Sequence, residues 1–234
     1  MNNTGQQNEE VPKFIKETTW NTFPNIGYIK TKFTKEELKP VLEEIEKISL
    51  NFENTKKVGK YLSGNIDQQY ELVDSFKHIE KITKELSVIF LKFFGVHNPE
   101  NINNISLMRT WVNFQKKHEF NPLHVHIGDL SFVIFVKIPF KTEDETKIHS
   151  ETREVDNVPG VFTFVYTNTL GRICSDHHHI DEKDELTIYL FDAKTSHAVW
   201  PFYTSDDYRI TVSGNLKINL DESSKDKFLR INHA

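Results

Sequence analysis

The sequence predicts a mostly β fold, a sandwich or barrel with helices packed on one side, and three observations lead there. In the N-terminal part, apolar residues recur at helical spacing in two segments. After Asn101 the chain changes to short stretches rich in β-branched and aromatic residues. Turn-forming clusters such as Asn121-Pro122, Ile127-Gly128-Asp129 and Pro159-Gly160 separate them. The run Ser131-Phe-Val-Ile-Phe-Val is almost continuously apolar, as in a strand covered on both faces. Helices first and strands afterwards suggest helices segregated to one side of a β-core.

The elements follow in order. Residues 1–13, rich in Asn, Gln and Glu, read as a disordered tail, and residues 14–234 as one domain. Its helical support covers about 34–95 and its β-core about 105–220. The first helix is expected from Thr34, where Thr34 and Glu37 can form a capping box. Leu38, Val41, Leu42, Ile45 and Ile48 then share one face, and Pro40 is expected to bend the helix. A second helix follows Asp74, with Phe76, Ile79, Leu86, Ile89, Phe90 and Phe93 apolar and Gly95 as its terminator. Strands are expected over Ile105–Gln115, Leu130–Ile138, Val161–Thr167, Leu186–Asp192 and Tyr208–Ile218.

Composition narrows the function classes. A chain of 234 residues with 37% hydrophobic residues and 18 Phe can bury one substantial core. A formal charge of −5 argues against a dedicated nucleic-acid binder, which needs concentrated positive charge. The single cysteine, Cys174, allows no internal disulfide and points to a reducing compartment. No apolar run approaches the ~18 residues of a membrane span. The polar Met1–Glu10 segment lacks the apolar stretch of a signal peptide, so a cytoplasmic protein is expected.

His124-Val125-His126 precedes the apolar strand. In an extended segment alternate residues face the same way, so both imidazoles can point at one ion. His197 follows another expected strand, and three inward ligands on adjacent strands would leave open positions on an iron. His177-His178-His179 adjoins the charged run Asp181–Glu185, and three consecutive side chains cannot face one ion. It reads as an exposed polar loop. Arg209, Thr211 and Ser213 share one face of the last strand, with Ile210 and Val212 on the other. A guanidinium on the barrel interior needs an anionic partner, and with Thr211 beside it Arg209 suits a carboxylate. Arg109, Trp111 and Asn113 form a similar face, from which Asn113 can bond a bound acid or nearby backbone.

Two blocks carry a resemblance. Trp111-Val-Asn-Phe-Gln with Asn121-Pro-Leu-His-Val-His-Ile-Gly-Asp-Leu-Ser-Phe-Val-Ile is one. Phe191-Asp-Ala-Lys-Thr-Ser-His-Ala-Val-Trp-Pro-Phe with Tyr208-Arg-Ile-Thr-Val-Ser-Gly-Asn is the other. They resemble the 2-oxoglutarate/Fe(II)-dependent oxygenases common in phages and marine bacteria, within the prolyl-hydroxylase-like superfamily. Leu62-Ser-Gly-Asn-Ile ahead of Tyr70-Glu-Leu is also similar, and the likeness is weak over residues 140–184. The resemblance implies a double-stranded β-helix (jelly-roll) core flanked by helices. It also implies a hydroxylase that couples decarboxylation of 2-oxoglutarate to succinate with oxidation of a substrate such as peptidyl proline or another protein side chain. Fe(II) would be held by His124, His126 and His197, and 2-oxoglutarate by Arg209, Thr211 and Asn113. Position 126 departs from the superfamily, which usually has Asp or Glu there. Either His126 is the third ligand, as its spacing from His124 favours, or Asp129 swings in. A cupin-type metal protein and a non-catalytic phage module are the alternatives. A cupin commonly adds a Glu soon after its histidine pair, which is missing here, and it has no need of Arg209.

Overall fold

The computed structural model describes residues 26–94, 105–148, 151 and 158–219. The expected tail over residues 1–13 and the expected helix terminator Gly95 lie outside them.

Among the described residues, ten strands form two antiparallel sheets, whose facing sides enclose an aromatic layer, with two longer helices on the outer side of the larger sheet. The strands are β1 (Tyr28–Lys32), β2 (Gln68–Glu71), β3 (Ile105–Gln115), β4 (Asn121–His124), β5 (Leu130–Lys137), β6 (Phe162–Thr167), β7 (Ile173–His178), β8 (Thr187–Asp192), β9 (Ser196–Val199) and β10 (Arg209–Ile218). The larger sheet has the order β1-β8-β5-β10-β3-β2 and the smaller β4-β9-β6-β7. This is the jelly-roll core that the sequence led us to expect. Helices α1 (Lys39–Ser49) and α2 (Phe76–Phe93) lie between β1 and β3 in sequence, and the short α3 (Thr142–Lys147) follows β5.

The pleat explains the two cores. In β5 every residue from Leu130 to Val136 is buried. Phe132, Ile134 and Val136 face the helical side, packing with Val41, Ile45, Ile79 and Phe90. Val133 and Phe135 face the other sheet and meet Phe162, Phe164, Tyr189 and Phe191. A strand buried on both faces must read as an unbroken apolar run. Fully burying one such side chain contributes about 1.5–3 kcal/mol.

Several expectations need correction. Helices do not simply precede strands, because β1 and β2 interleave with them and join the edges of the larger sheet. Thr34 and Glu37 do exchange hydrogen bonds, but the regular helix starts only at Lys39. Pro40 therefore stands in the first turn, where its missing N–H costs nothing and the helix forms around it. In α2, Ile89 and Phe93 are exposed, while Thr83 and Ser87 are buried. Their hydroxyls donate to the carbonyls of Ile79 and Thr83, which satisfies both groups without water. His177 and His178 belong to strand β7 rather than a loop. Its alternation of exposed and half-buried residues is that of an edge strand, and sequence charge masked it.

Two turns next to the site require glycine. Gly128 has φ +91°, and a Cβ there would lie 2.7 Å from the Leu216 carbonyl. Gly160 has φ +73°, and a Cβ would lie 2.7 Å from the Phe140 ring. L-residues avoid this conformation.

Candidate metal centre and its cavity

The histidines converge because β4 and β9 pair antiparallel with His124 directly opposite His197. His126 lies two residues beyond His124, and its N–H donates to the Ala193 carbonyl at 2.8 Å, which keeps the segment extended past the strand end. Extended alternation turns both imidazoles inward, while Leu123, Val125 and Ile127 are exposed. The ligand-capable atoms of His124, His126 and His197 all lie within 4.8 Å of one another.

Two of the rings are held in the ligating tautomer by backbone carbonyls. His124 Nδ1 lies 2.7 Å from the Pro122 carbonyl and His197 Nδ1 3.0 Å from that of Thr195. A carbonyl only accepts, so each Nδ1 carries the proton and each Nε2 keeps its lone pair. The Nε2 atoms of His126 and His197 are 3.1 Å apart. Two nitrogens bound at right angles to one ion, each at about 2.1 Å, would be about 3 Å apart. The three residues therefore fit a divalent ion. Burial pushes the His126 imidazole down to about 3, helped by the neighbouring His124 and Lys194. Burial also holds His124 low and His197 well below the usual histidine range. Neutral imidazole is the ligating form.

Of the two residues offered as a third ligand, His126 joins the cluster and Asp129 does not. The Asp129 carboxylate accepts from the Ile218 N–H at 2.7 Å and from Lys217 Nζ at 3.2 Å, tying the turn to the end of β10. His177 and His178 are also elsewhere. His177 bonds Thr163, and His178 packs against Tyr28 and pairs with Asp176.

The imidazoles border a cavity of about 220 Å³, whose lining includes Trp111, Asn113, Gln115, Thr211 and Ser213. Trp111 stands 6.0 Å from the His126 ring, and Phe191 packs 4.8 Å from His197. Gln69 Nε2 donates to Asn113 Oδ1 at 2.8 Å, and Asn113 Nδ2 donates to Thr211 Oγ1 at 3.0 Å. With its oxygen already accepting, the Thr211 hydroxyl is left to donate toward an acceptor in the cavity.

Arg209 lies behind this wall, fully buried, and is not among the residues that line the cavity. Its Nη1 donates to the Gly160 carbonyl at 2.9 Å and its Nη2 to that of Trp200 at 2.7 Å. Nε and Nη2 both donate to Gln115 Oε1, at 3.2 and 2.9 Å. The guanidinium also lies 5.6 and 5.4 Å from the Phe140 and Phe202 rings. All its hydrogen-bond acceptors are neutral, and burial pushes its pKa down to about 9, which the Glu145 charge only partly offsets. A buried cation so placed favours an incoming anion.

Sequence reasoning missed Gln115 and Gln69. Gln115 continues the alternation of Arg109, Trp111 and Asn113, so the signal was present. Gln69 sits on a strand of four residues, too short to show a period.

Fold and site together define a jelly-roll protein with three clustered histidines that could hold a metal ion. Residues 109–215, from β3 into β10, match the family model described as "Putative 2OG-Fe(II) oxygenase". Over those residues, a little under half of the chain, it is similar to the 2OG-Fe(II) oxygenases, an enzyme class with Fe(II) as cofactor and 2-oxoglutarate and O2 as co-substrates. A prolyl-4-hydroxylase from Pseudomonas putida superposes with a TM-score of 0.51 at 10% identity, covering 82% of this chain and 92% of that one. The non-heme alpha ketoglutarate dependent epimerase SnoN from nogalamycin biosynthesis gives 0.50 at 12% identity, covering 82% and 76%. At such identities these two support the fold alone. No curated protein matches the chain. Among the described residues, no helix is long and apolar enough to cross a membrane.

Proposed function

We propose that the protein is a 2-oxoglutarate-dependent oxygenase that hydroxylates a peptidyl proline or another protein side chain, with His124, His126 and His197 holding Fe(II). The observation that carries the metal assignment is the convergence of the three imidazoles within 4.8 Å at one end of a polar cavity. Fe(II), once bound, supplies the oxygen activation that amino-acid side chains cannot. The protein's own work is placement. The Pro122 and Thr195 carbonyls fix the ligand tautomers, and Phe162, Phe164 and Phe191 keep water from the buried side of His197.

In this reading 2-oxoglutarate lies along the polar wall, its far carboxylate received by Thr211 and Arg209, with Asn113 holding Thr211 in register. Gln115 stands between Arg209 and the cavity, so direct contact requires its amide to give up two hydrogen bonds. The buried charge of Arg209, which Glu145 offsets only in part, supports this. The protein-substrate part rests on the fold shared with a prolyl-4-hydroxylase. We also read residues 14–234 as one domain acting in the cytoplasm, which the lone Cys174 suits.

The test is succinate release with Fe(II) and 2-oxoglutarate across a panel of proline-containing peptides and metabolites. Peptide-stimulated release supports the reading, and stimulation by metabolites alone would replace its substrate half. Failure of the protein to bind 2-oxoglutarate would remove the whole.

A further inference from the structure

Another arginine, Arg109, lines the cavity itself, at the end away from the buried Arg209. The β3–β10 register pairs Gln115 with Arg209, Asn113 with Thr211, Trp111 with Ser213 and Arg109 with Asn215. All the odd-numbered residues of these pairs point the same way, so Arg109 and Arg209 stand at opposite ends of one polar wall. At about 3.4 Å per residue their backbone positions are roughly 20 Å apart. A five-carbon diacid spans only about 6 Å. Trp111, one step from Arg109, packs against His126, which puts the metal centre between the two cations and nearer to Arg109.

Among the described residues that line the cavity, Arg109 is the only Lys or Arg. Its guanidinium carbon lies 5.6 Å from the Tyr61 ring, and Tyr61 is 74% exposed, so this end faces solvent. Among the described residues no acid pairs with Arg109, and none accepts a hydrogen bond from it. Opposite it, Asn215 accepts from Ser131 Oγ at 3.1 Å through its amide oxygen, which leaves its NH2 as a donor. Arg109 and Asn215 thus offer only donors, beside exposed Tyr61, Val125 and Ile127.

We infer that Arg109 and Asn215 form a carboxylate-recognition subsite for the oxidised substrate, separate from the end that receives 2-oxoglutarate. The inference rests on the oxygenase reading and adds a substrate class to it. A single guanidinium with one amide donor matches a planar monoanion, since a guanidinium fork takes both oxygens of a carboxylate. A phosphate dianion would draw on more than one cation. The acid can belong to an Asp or Glu side chain of a peptide or to a small carboxylic acid.

The experiment uses the full chain and its Arg109→Gln and Arg109→Lys variants. With Mn(II) and no oxygen, calorimetry measures 2-oxoglutarate binding. With Fe(II) in air, succinate release is then measured above its substrate-free rate. The probes are blocked tetrapeptides that exchange Asp for Asn or Glu for Gln, and small carboxylic acids paired with their carboxamides. The expected result is equal 2-oxoglutarate affinity in all three proteins, with stimulation of the wild type by acids and not by their amides. Arg109→Gln then loses about tenfold or more in kcat/KM for the acids, and Arg109→Lys recovers part of it. Stimulation by peptides or by small acids tells which source the subsite serves. The inference is overturned if stimulation ignores the exchange of acid for amide, or if no probe stimulates. It is also overturned if Arg109→Gln loses 2-oxoglutarate affinity, which would put this guanidinium on the co-substrate. Wild-type protein that binds no 2-oxoglutarate is a different failure, that of the oxygenase reading itself.

Discussion

Replacing Arg209 with Ala should destabilise the fold before it says anything about catalysis. The guanidinium supplies the donors to the Gly160 and Trp200 carbonyls, at 2.9 and 2.7 Å, and bonds Gln115 twice. Gln115 lines the cavity and can recover water, but Gly160 is buried and its carbonyl would lose this donor. Leaving a buried acceptor unsatisfied costs about 1–3 kcal/mol, which applies in full to Gly160 and less to Trp200, a residue 38% exposed. A void also opens beside the Phe140 and Phe202 rings. Relief of a desolvated cation, whose pKa burial pushes down to about 9, works the other way. The net loss expected is about 2–4 kcal/mol, and urea unfolding followed by circular dichroism measures it. Arg209→Met fills the void and leaves the acceptors bare, so it should recover less than half of the loss. A loss below about 1 kcal/mol would refute the argument, showing that the carbonyls do not depend on this side chain. Among variants that remain folded, Arg209→Lys should bind 2-oxoglutarate about thirtyfold more weakly, because an ammonium cannot reproduce the fork.

The other predictions concern the metal centre. His124→Ala or His197→Ala should each abolish tight Fe(II) or Mn(II) binding by metal analysis, whereas altering His177, His178 and His179 together should leave it intact. His126→Ala should weaken metal binding, while Asp129→Asn should lower stability by about 1–2 kcal/mol and keep the metal. Metal loss in the Asp129 variant alone would reverse that assignment. Metal-free protein should lose stability as pH falls below about 6.5, because the unfolded chain takes up protons that His126 refuses until about 3. This one group contributes up to about 1.4 kcal/mol per pH unit between those limits, and His126→Phe should flatten the urea-midpoint profile there.

The long strands were legible because their chemistry is local. β3, β5, β6, β8 and β10 each carry enough apolar or alternating residues to stand out, and their observed bounds fall within a residue of those expected. β1, β2, β4, β7 and β9 escaped because none carries the run of apolar and aromatic residues that marks the equally short β6 and β8. Pairing with neighbours, which no local window contains, makes them strands. The exposed Ile89 and Phe93 of α2 show the same limit in a helix, since apolar spacing does not reveal which face meets the sheet.

For the site, the sequence by itself determined which side chains share a face. His124 with His126, and Arg209 with Thr211, follow from the pleat of an extended chain and need no partner strand. Only the tertiary structure decided what each face meets. The β4–β9 register set His124 opposite His197, and the end of β10 drew Asp129 away from the cluster. The Gly160 and Trp200 carbonyls engaged Arg209 behind Gln115, and the β3–β10 register put Arg109 at the open end. The physical reason is one of range. Side-chain direction is set within two residues, but the partners that satisfy a buried charge or complete a ligand set arrive from strands dozens of residues away.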